Sequence, residues 1–362
     1  MSAGRLRVAV LFGGRSAEHE VSVVSAQGVL RHMDPERFQS VPFGITREGV
    51  WLTPEETERA LQSVPLNSYL PLPSLEGNVP PLRPQVLAAL ARTDVVFPLL
   101  HGPHGEDGTV QGMLELMGLP YVGAGVAASA VGMDKALMKS LFRRAGLPTA
   151  DFAVVTRHEW ERDRPAVEAR LRADIGLPCF VKPANLGSSV GIAKVKEWAA
   201  LAPALDEAFR YDRKALVEKA VTGREIEVAV LGNDEPVASP PGEVVPHREF
   251  YDYRAKYLEE GTRLVAPVSL PPAVERRLQE MALAAFRAID CAGMARVDFF
   301  LVDDQPVVNE INTIPGFTPI SMYPRLWEAA GLSYRELITQ LIELGLERHR
   351  EKQRRIFAPE QA

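Results

Sequence analysis

Only two cysteines, Cys179 and Cys291, occur in 362 residues, both in apolar surroundings, which argues against a disulfide framework and against a cysteine-rich zinc site. A reducing compartment, the cytoplasm, fits that usage. No run of about 18 apolar residues is present, so no helical membrane span is expected. The apolar stretch at residues 8–12 is too short for the core of a signal peptide and runs straight into Gly13-Gly14. Basic charge is not in excess either. With 41 Lys and Arg against 47 Asp and Glu, the formal net charge is −6, which disfavours nonspecific nucleic-acid binding but leaves room for a local anion site. The GxxxxGK[ST] pattern is missing, as is a GxGxxG fingerprint after the first strand, so neither a P-loop nor a dinucleotide site is supported.

What is present is apolar material, 46% of the chain, enough for two or three domains of ordinary size. Residues 6–12 read as a buried strand, 13–16 as a tight glycine loop and 17–33 as a helix, a unit typical of parallel sheets. Pro65, Pro71, Pro73, Pro80, Pro81 and Pro84 then crowd an irregular connection. A strand at 94–100 delivers His101-Gly102-Pro103-His104-Gly105-Glu106-Asp107-Gly108 at its C-terminal end, where open α/β sheets bind ligands. The character of the chain changes after Val122-Gly123-Ala124-Gly125. The expected organisation is therefore an N-terminal α/β domain with a parallel, Rossmann-like sheet (1–123), a small central α+β domain (124–221) and a C-terminal α+β domain (222–362). One helix is expected over 127–145, strands at 180–182, 215–219 and 225–231, and a helix with Val274, Leu278, Met281, Ala285 and Ile289 on one face. The last helix, 334 to about 355, ends in Arg and Lys, read as charges facing the negative end of its dipole.

Chemistry concentrates in three segments. Residues 295–312 form two β-rich runs around Asp303-Asp304-Gln305 and read as a hairpin. A turn centred on Asp304 sets Asp298 opposite Glu310 and Arg296 opposite Asn312, all on one face because side chains alternate. Carboxylates directly opposite each other repel at about 5 Å, and a hard divalent metal bound through oxygen is the simplest remedy. A solvated, charged sheet edge is the plainer alternative. In the second segment Lys182 leaves a strand and is followed by Gly187-Ser188-Ser189-Val190-Gly191, a cation and a loop of exposed N–H groups such as cradle phosphate. A flexible connection is the alternative there, and Lys135 on the preceding helix is a second candidate cation. In the third, Leu216-Val217-Glu218-Lys219 ends a strand with a carboxylate and backbone donors able to read an adenine edge.

Taken with Gly13-Gly14-Arg15-Ser16-Ala17-Glu18-His19-Glu20-Val21-Ser22, His101-Gly102, Gly105-Glu106-Asp107-Gly108, Met133-Asp134-Lys135, Tyr251-Asp252-Tyr253-Arg254-Ala255-Lys256-Tyr257 and Asn309-Glu310-Ile311-Asn312-Thr313-Ile314-Pro315-Gly316, the chain resembles the D-alanine:D-alanine ligases of the ATP-grasp superfamily from Gly13 to about Leu346. That resemblance implies joining of two D-alanines at the expense of ATP through an acyl phosphate, for peptidoglycan precursor synthesis. It implies that Asp298, Glu310 and Asn312 hold two Mg²⁺ ions, with Mn²⁺ a possible substitute, and that Lys135, Lys182 and the Ser189 backbone hold phosphates. Glu218 and Lys219 would take adenine and Glu225 the ribose. Glu20, assisted by His101, would bind the first D-alanine, Lys256 and Ser321 the carboxylate of the second. Arg296 and the Gly316 amide would stabilise the oxyanion, where one donor can be worth roughly 3 kcal/mol. A lid over 249–261 would bring Tyr257 to Ser188 and Glu20 and keep water from the intermediate. A homodimer is implied; a nucleic-acid or membrane partner is not.

Two rivals remain at this stage. A ligase adding D-lactate or D-serine is one, against which the Lys256-Tyr257 pair speaks. A nucleotide-binding regulator without activity is the other, which predicts a substitution among Lys182, Arg296, Asp298, Glu310 or Asn312, and none is substituted. Ala295 and Ile314 depart from the family pattern in standing where smaller residues are usual.

Overall fold

The apolar run of the first strand is buried on both faces, as expected of the middle strand of a parallel sheet. In the computed structural model, which describes residues 4–75, 77, 79–187, 190–245 and 263–355, β1 (Leu6–Gly13) lies between β2 (Phe38–Ile45) and β3 (Val95–Pro98), parallel to both. Between β1 and β2 runs α1 (His19–His32), almost wholly buried. Gly13 has φ +89°, and a Cβ there would sit 2.2 Å from the Ile45 carbonyl oxygen, so only glycine fits this turn. Ser22 Oγ locks the turn, accepting from Gly13 N at 2.8 Å and donating to Leu99 O at 2.5 Å. Short helices α2 (Pro54–Gln62) and α3 (Pro84–Leu90) bracket the proline-rich connection, and α4 (Thr109–Leu116) follows the loop after β3.

The single helix expected over 127–145 is two helices, α5 (Val126–Met133) and α6 (Lys135–Arg144). Asp134 breaks the run. Its backbone is extended and its carboxylate caps α6, accepting from Ala136 N and Leu137 N, while also pairing with Lys214. Lys135 therefore starts a helix instead of decorating the side of one.

A four-stranded antiparallel sheet follows, in the order β4 (Phe152–Thr156), β7 (Lys214–Lys219), β5 (Cys179–Pro183), β6 (Ala193–Val195). Helices α7 (Arg157–Arg162), α8 (Arg164–Asp174) and α9 (Leu201–Tyr211) cover it, with Trp160, Leu171, Leu205 and Val181 in its core. The third sheet carries β8 (Arg224–Gly232), β9 (Val237–Ala238), β10 (Gly242–Val245), β11 (Arg263–Val265), β12 (Gly293–Val302) and β13 (Gln305–Asn312); β8 and β12 are its middle strands. One face is packed by α10 (Pro272–Ala288), whose Val274, Leu278, Met281 and Ala285 are buried with Ile289 as the spacing predicts. The other is covered by α11 (Met322–Ala329) and α12 (Tyr334–Lys352), whose apolar side chains share one core with β1 and β3.

The basic end of α12 does more than face its own dipole. Arg348 is largely buried, donates to the carbonyls of Gly123 and Tyr121, and lies 4.3 Å from the Tyr121 ring centroid; Lys352 pairs with Glu115. Those charges tie the C-terminal helix to the first sheet, which corrects their reading as a cap alone.

The hairpin needs a second correction. Its turn is not centred on Asp304: Asp303 and Asp304 together form a two-residue turn with φ +47° and +60°, the left-handed pair that a tight hairpin requires. Continued without interruption, that turn would set Asp298 opposite Asn309. A β-bulge shifts the register between Asp298 and Phe299, leaving Asn309 as the extra residue and restoring Asp298 opposite Glu310 and Arg296 opposite Asn312.

Candidate active site

Strand pairing extends the carboxylate row beyond the hairpin. Asp298 faces Glu310 on β13 and Glu227 on β8, so three carboxylates stand abreast on adjacent strands. Arg296, two residues away on the same face, forks onto Asp298 with Nε to Oδ1 at 2.7 Å and Nη2 to Oδ2 at 2.8 Å; Nε is also 3.1 Å from Glu227 Oε2. Asn312 Nδ2 donates to Asp298 Oδ2 at 2.9 Å. Arg296 is thus a compensating cation already inside the protein, at the place where the sequence alone suggests a metal. It clasps Asp298 in this state. Carboxylates still outnumber it three to one on this wall, and the donors are hard oxygens, the set that suits Mg²⁺.

Opposite stands a basic wall. Lys182 Nζ lies 2.6 Å from Glu218 Oε2 and Lys139 Nζ 2.5 Å from Oε1, all three side chains being nearly inaccessible. Burial alone would raise the Glu218 carboxyl, but the two lysines outweigh it and hold it at about 2. Lys139 also donates to Asn309 O at 2.8 Å, so it grips the bulge that sets the carboxylate register. Lys135 Nζ donates to Leu186 O at 2.8 Å, at the start of the glycine loop, and lies 3.9 Å from Glu310 Oε2. Burial presses the Lys135 pKa down, opposed by Glu310.

A cleft open to solvent is lined by Glu227, Arg296, Glu310 and Asn312 of the acidic wall, by Lys135 alone of the three lysines, and by Glu18, His101, Glu106 and the segment from Thr313 to Gly316; Lys139, Lys182 and Glu218 are not in its lining. The ligand atoms of Glu18, His101 and Glu106 lie within 4.8 Å of one another. His101 Nδ1 donates to Ile314 O at 3.1 Å, which leaves Nε2 the acceptor, buried and without a hydrogen-bond partner among the described residues. Burial lowers the His101 pKa, so the ring is neutral near pH 7. Glu106 is shifted the other way, pushed up to about 8 by burial and by nearby Glu18.

Of the expected site residues, His101, Lys135, Arg296, Glu310, Asn312 and Gly316 line this cavity, with Asp298 held directly against Arg296 and Asn312. Glu20 is buried in the first turn of α1, but its carboxylate is taken by Arg47; Glu18 is the acid that lines the cavity. Ser321 Oγ accepts from Thr318 N at 3.1 Å and is not in the cavity wall. The Lys219 N–H goes to Asp151 O at 2.8 Å, so it is not the free backbone donor expected at the end of β7. Glu225 lies on the same strand face as Glu227, near enough to Lys182 to raise that lysine's pKa. Ser188, Ser189, Lys256, Tyr257 and the expected lid at 249–261 lie outside the described residues. Four residues were missed: Glu18 and Glu106 were inside quoted motifs, Lys139 is one helical turn beyond Lys135, and Glu227 follows Glu225 by the strand period.

Comparison with known proteins decides the family. A model described as D-ala D-ala ligase N-terminus matches residues 7–124, and one described as D-ala D-ala ligase C-terminus matches 141–343. The chain belongs to the D-ala D-ala ligase family. A D-alanine–D-alanine ligase of Geobacillus thermodenitrificans is 50% identical over 357 residues, covering 96% of this chain and 98% of the relative. The solved D-alanine-D-alanine ligase of Coxiella burnetii superposes with a TM-score of 0.80 at 39% identity, covering 97% of each chain. The Bacillus anthracis D-alanine–D-alanine ligase complexed with ATP gives a TM-score of 0.74 at 28% identity, covering 97% of this chain and all of that one. The mixed α/β fold of this ligase family, a parallel sheet followed by antiparallel ones, is the architecture described above.

Proposed function

We propose that this chain joins two molecules of D-alanine into D-alanyl-D-alanine, consuming ATP and releasing ADP and phosphate, and so supplies a peptidoglycan precursor. One observation carries the reading: a single cleft is lined both by the carboxylates Glu227 and Glu310 and by Lys135, charges of both signs such as a metal-bound polyphosphate requires. In sequence order the working units are 1–123, 124–221 and 222–362, acting in the cytoplasm as a homodimer.

Divalent metal held by Asp298, Glu310 and Asn312, as two Mg²⁺ ions or as Mn²⁺ in their place, would neutralise phosphate charge when bound. Lys135, Lys182 and the Ser189 backbone take phosphate oxygens, while Glu218 and Lys219 mark the adenine end and Glu225 the ribose. Glu20 takes the ammonium of the first D-alanine, which requires Arg47 to give way, and His101 stands by that substrate. The first carboxylate attacks the γ-phosphate to give an acyl phosphate, and the amine of the second D-alanine displaces phosphate from it. Lys256 and Ser321 orient the second carboxylate. Arg296, released from Asp298, and the Gly316 amide hold the oxyanion. Tyr257, reaching Ser188 and Glu20, closes the site against water.

Incubation of the protein with ATP, Mg²⁺ and D-alanine, with D-lactate and D-serine offered together and products identified by mass spectrometry, tests the proposal. Dipeptide of D-alanine as the main product is expected. A depsipeptide, a mixed D-alanyl-D-serine product or no phosphate release would each contradict it.

A further inference from the structure

Ile314 stands between two residues given work above, Asn312 before it and Gly316 after it. Strand β13 ends at Asn312, so the segment that follows has left the sheet ladder and its position depends on other partners. Both polar groups of the Ile314 main chain are held by the loop that follows β3. Glu106 Oε1 accepts from Ile314 N at 3.3 Å, and His101 Nδ1 donates to Ile314 O at 3.1 Å. The second oxygen of Glu106 turns back on its own loop, accepting from Gly102 N at 2.7 Å, where Gly102 has φ +73°. A single carboxylate therefore joins a backbone turn at the C-terminal end of the first sheet to the strand exit of the third. Ile314 itself is almost completely buried, so water does not compete for these groups.

We propose that Glu106 is a positioning residue for the ligation step: with His101 it clamps the Ile314 peptide, holding the Gly316 amide in register with the substrate side of the cavity. The assignment of Gly316 to the oxyanion, and hence the kinetic consequence, rests on the ligase reading; the clamp itself does not. A misplacement of about 1 Å can cost on the order of a hundredfold in rate, so a slack clamp penalises chemistry more than binding. A loosened oxyanion site also lets the acyl phosphate wait longer for its amine, and water then takes a share of it.

Glu106→Gln keeps the shape of the side chain but replaces one acceptor oxygen with a donor, while Glu106→Ala removes both bonds. Hydrogen exchange of the full-length protein, followed by mass spectrometry over residues 313–316, is expected to speed up at least tenfold in both variants. Exchange in the β5–β7 core should be unchanged. This readout requires no activity, so it separates failure of the clamp from failure of the ligase reading. In assays with ATP, Mg²⁺ and D-alanine, kcat is expected to fall about tenfold or more, KM for ATP to stay within twofold, and phosphate released per dipeptide to rise above one. Unchanged exchange at 313–316 would overturn the proposal. So would a rate loss with phosphate and dipeptide still formed one to one, which is the mark of a merely less stable protein.

Discussion

On the face built from β8, β12 and β13, three carboxylates stand around one guanidinium, whereas on the face built from β5, β7 and α6 two lysines close on one carboxylate and a third lysine stands beside them. Each wall satisfies its central group, Asp298 through Arg296 and Glu218 through Lys139 and Lys182. Each is then left out of balance in the opposite sense. Buried charge of one sign is costly unless matched; the walls meet in part through Lys135 and Glu310, 3.9 Å apart, and on the ligase reading a bound ligand would add a cation to the first wall and an anion to the second. A metal–nucleotide complex brings both. The acidic wall is held by the side chain of Arg296, while the basic wall is cross-linked through Glu218 and Asn309 into the frame of the molecule.

Removing a carboxylate from the acidic wall should therefore damage function and spare the fold. Asp298→Asn is expected to lower turnover by a hundredfold or more, equivalent to roughly 3 kcal/mol of transition-state stabilisation, with the melting temperature little changed. An unaltered rate at saturating Mg²⁺ would erase the contrast. Removing a lysine from the basic wall should do the reverse. Lys139→Met leaves one oxygen of buried Glu218 and the Asn309 carbonyl without their partner, for a loss of about 3 kcal/mol in denaturant unfolding. A loss no larger than that of a surface substitution would show that the bulge needs no such anchor.

The two buried carboxyls are separated by the sign of their pH dependence. The Glu218 pKa is held at about 2, below its ordinary 4.5, so its contribution to stability is present above pH 4.5 and is lost as pH falls toward 2. The Glu106 pKa is raised to about 8, chiefly by burial and then by Glu18, with its two backbone hydrogen bonds and Lys135 opposing. The native state then holds the extra proton, and stability falls as pH rises from 4.5 through 8. Glu106→Gln should flatten the decline in that upper window, measured by urea titration at several pH values, and leave the acid limb as it was. An unchanged upper slope would refute the assignment.

Local pattern made much of this legible. The strand–glycine–helix unit at the N-terminus and the buried face of α10 follow from period and turn signals within a few residues. Interruptions of a pattern were harder to see. Asp134 sits in a run that reads as helix throughout, and only its cap and its pairing with Lys214, distant in sequence, show why the helix breaks there. The hairpin register came out right although its turn was misplaced, because a bulge at Asn309 offsets the difference, and the Lys139 grip on that bulge is a contact across 170 residues. The strand period puts Glu227 on the face of Glu225, but that this face stands beside Asp298 comes only from strand pairing. Arg348 has the position of a helix-end charge, and its bonds to the Tyr121 and Gly123 carbonyls join residues more than 200 apart, beyond any local pattern.

The central claim is that Arg296 holds the place of a metal at Asp298. A crystal structure of the protein with Mg²⁺ and a nonhydrolysable ATP analogue tests it most directly. The account predicts that the Arg296 guanidinium has left Asp298 and that metal is bound by Asp298, Glu310 and Asn312. An intact Arg296–Asp298 fork, with the metal held by phosphate and water alone, would contradict it.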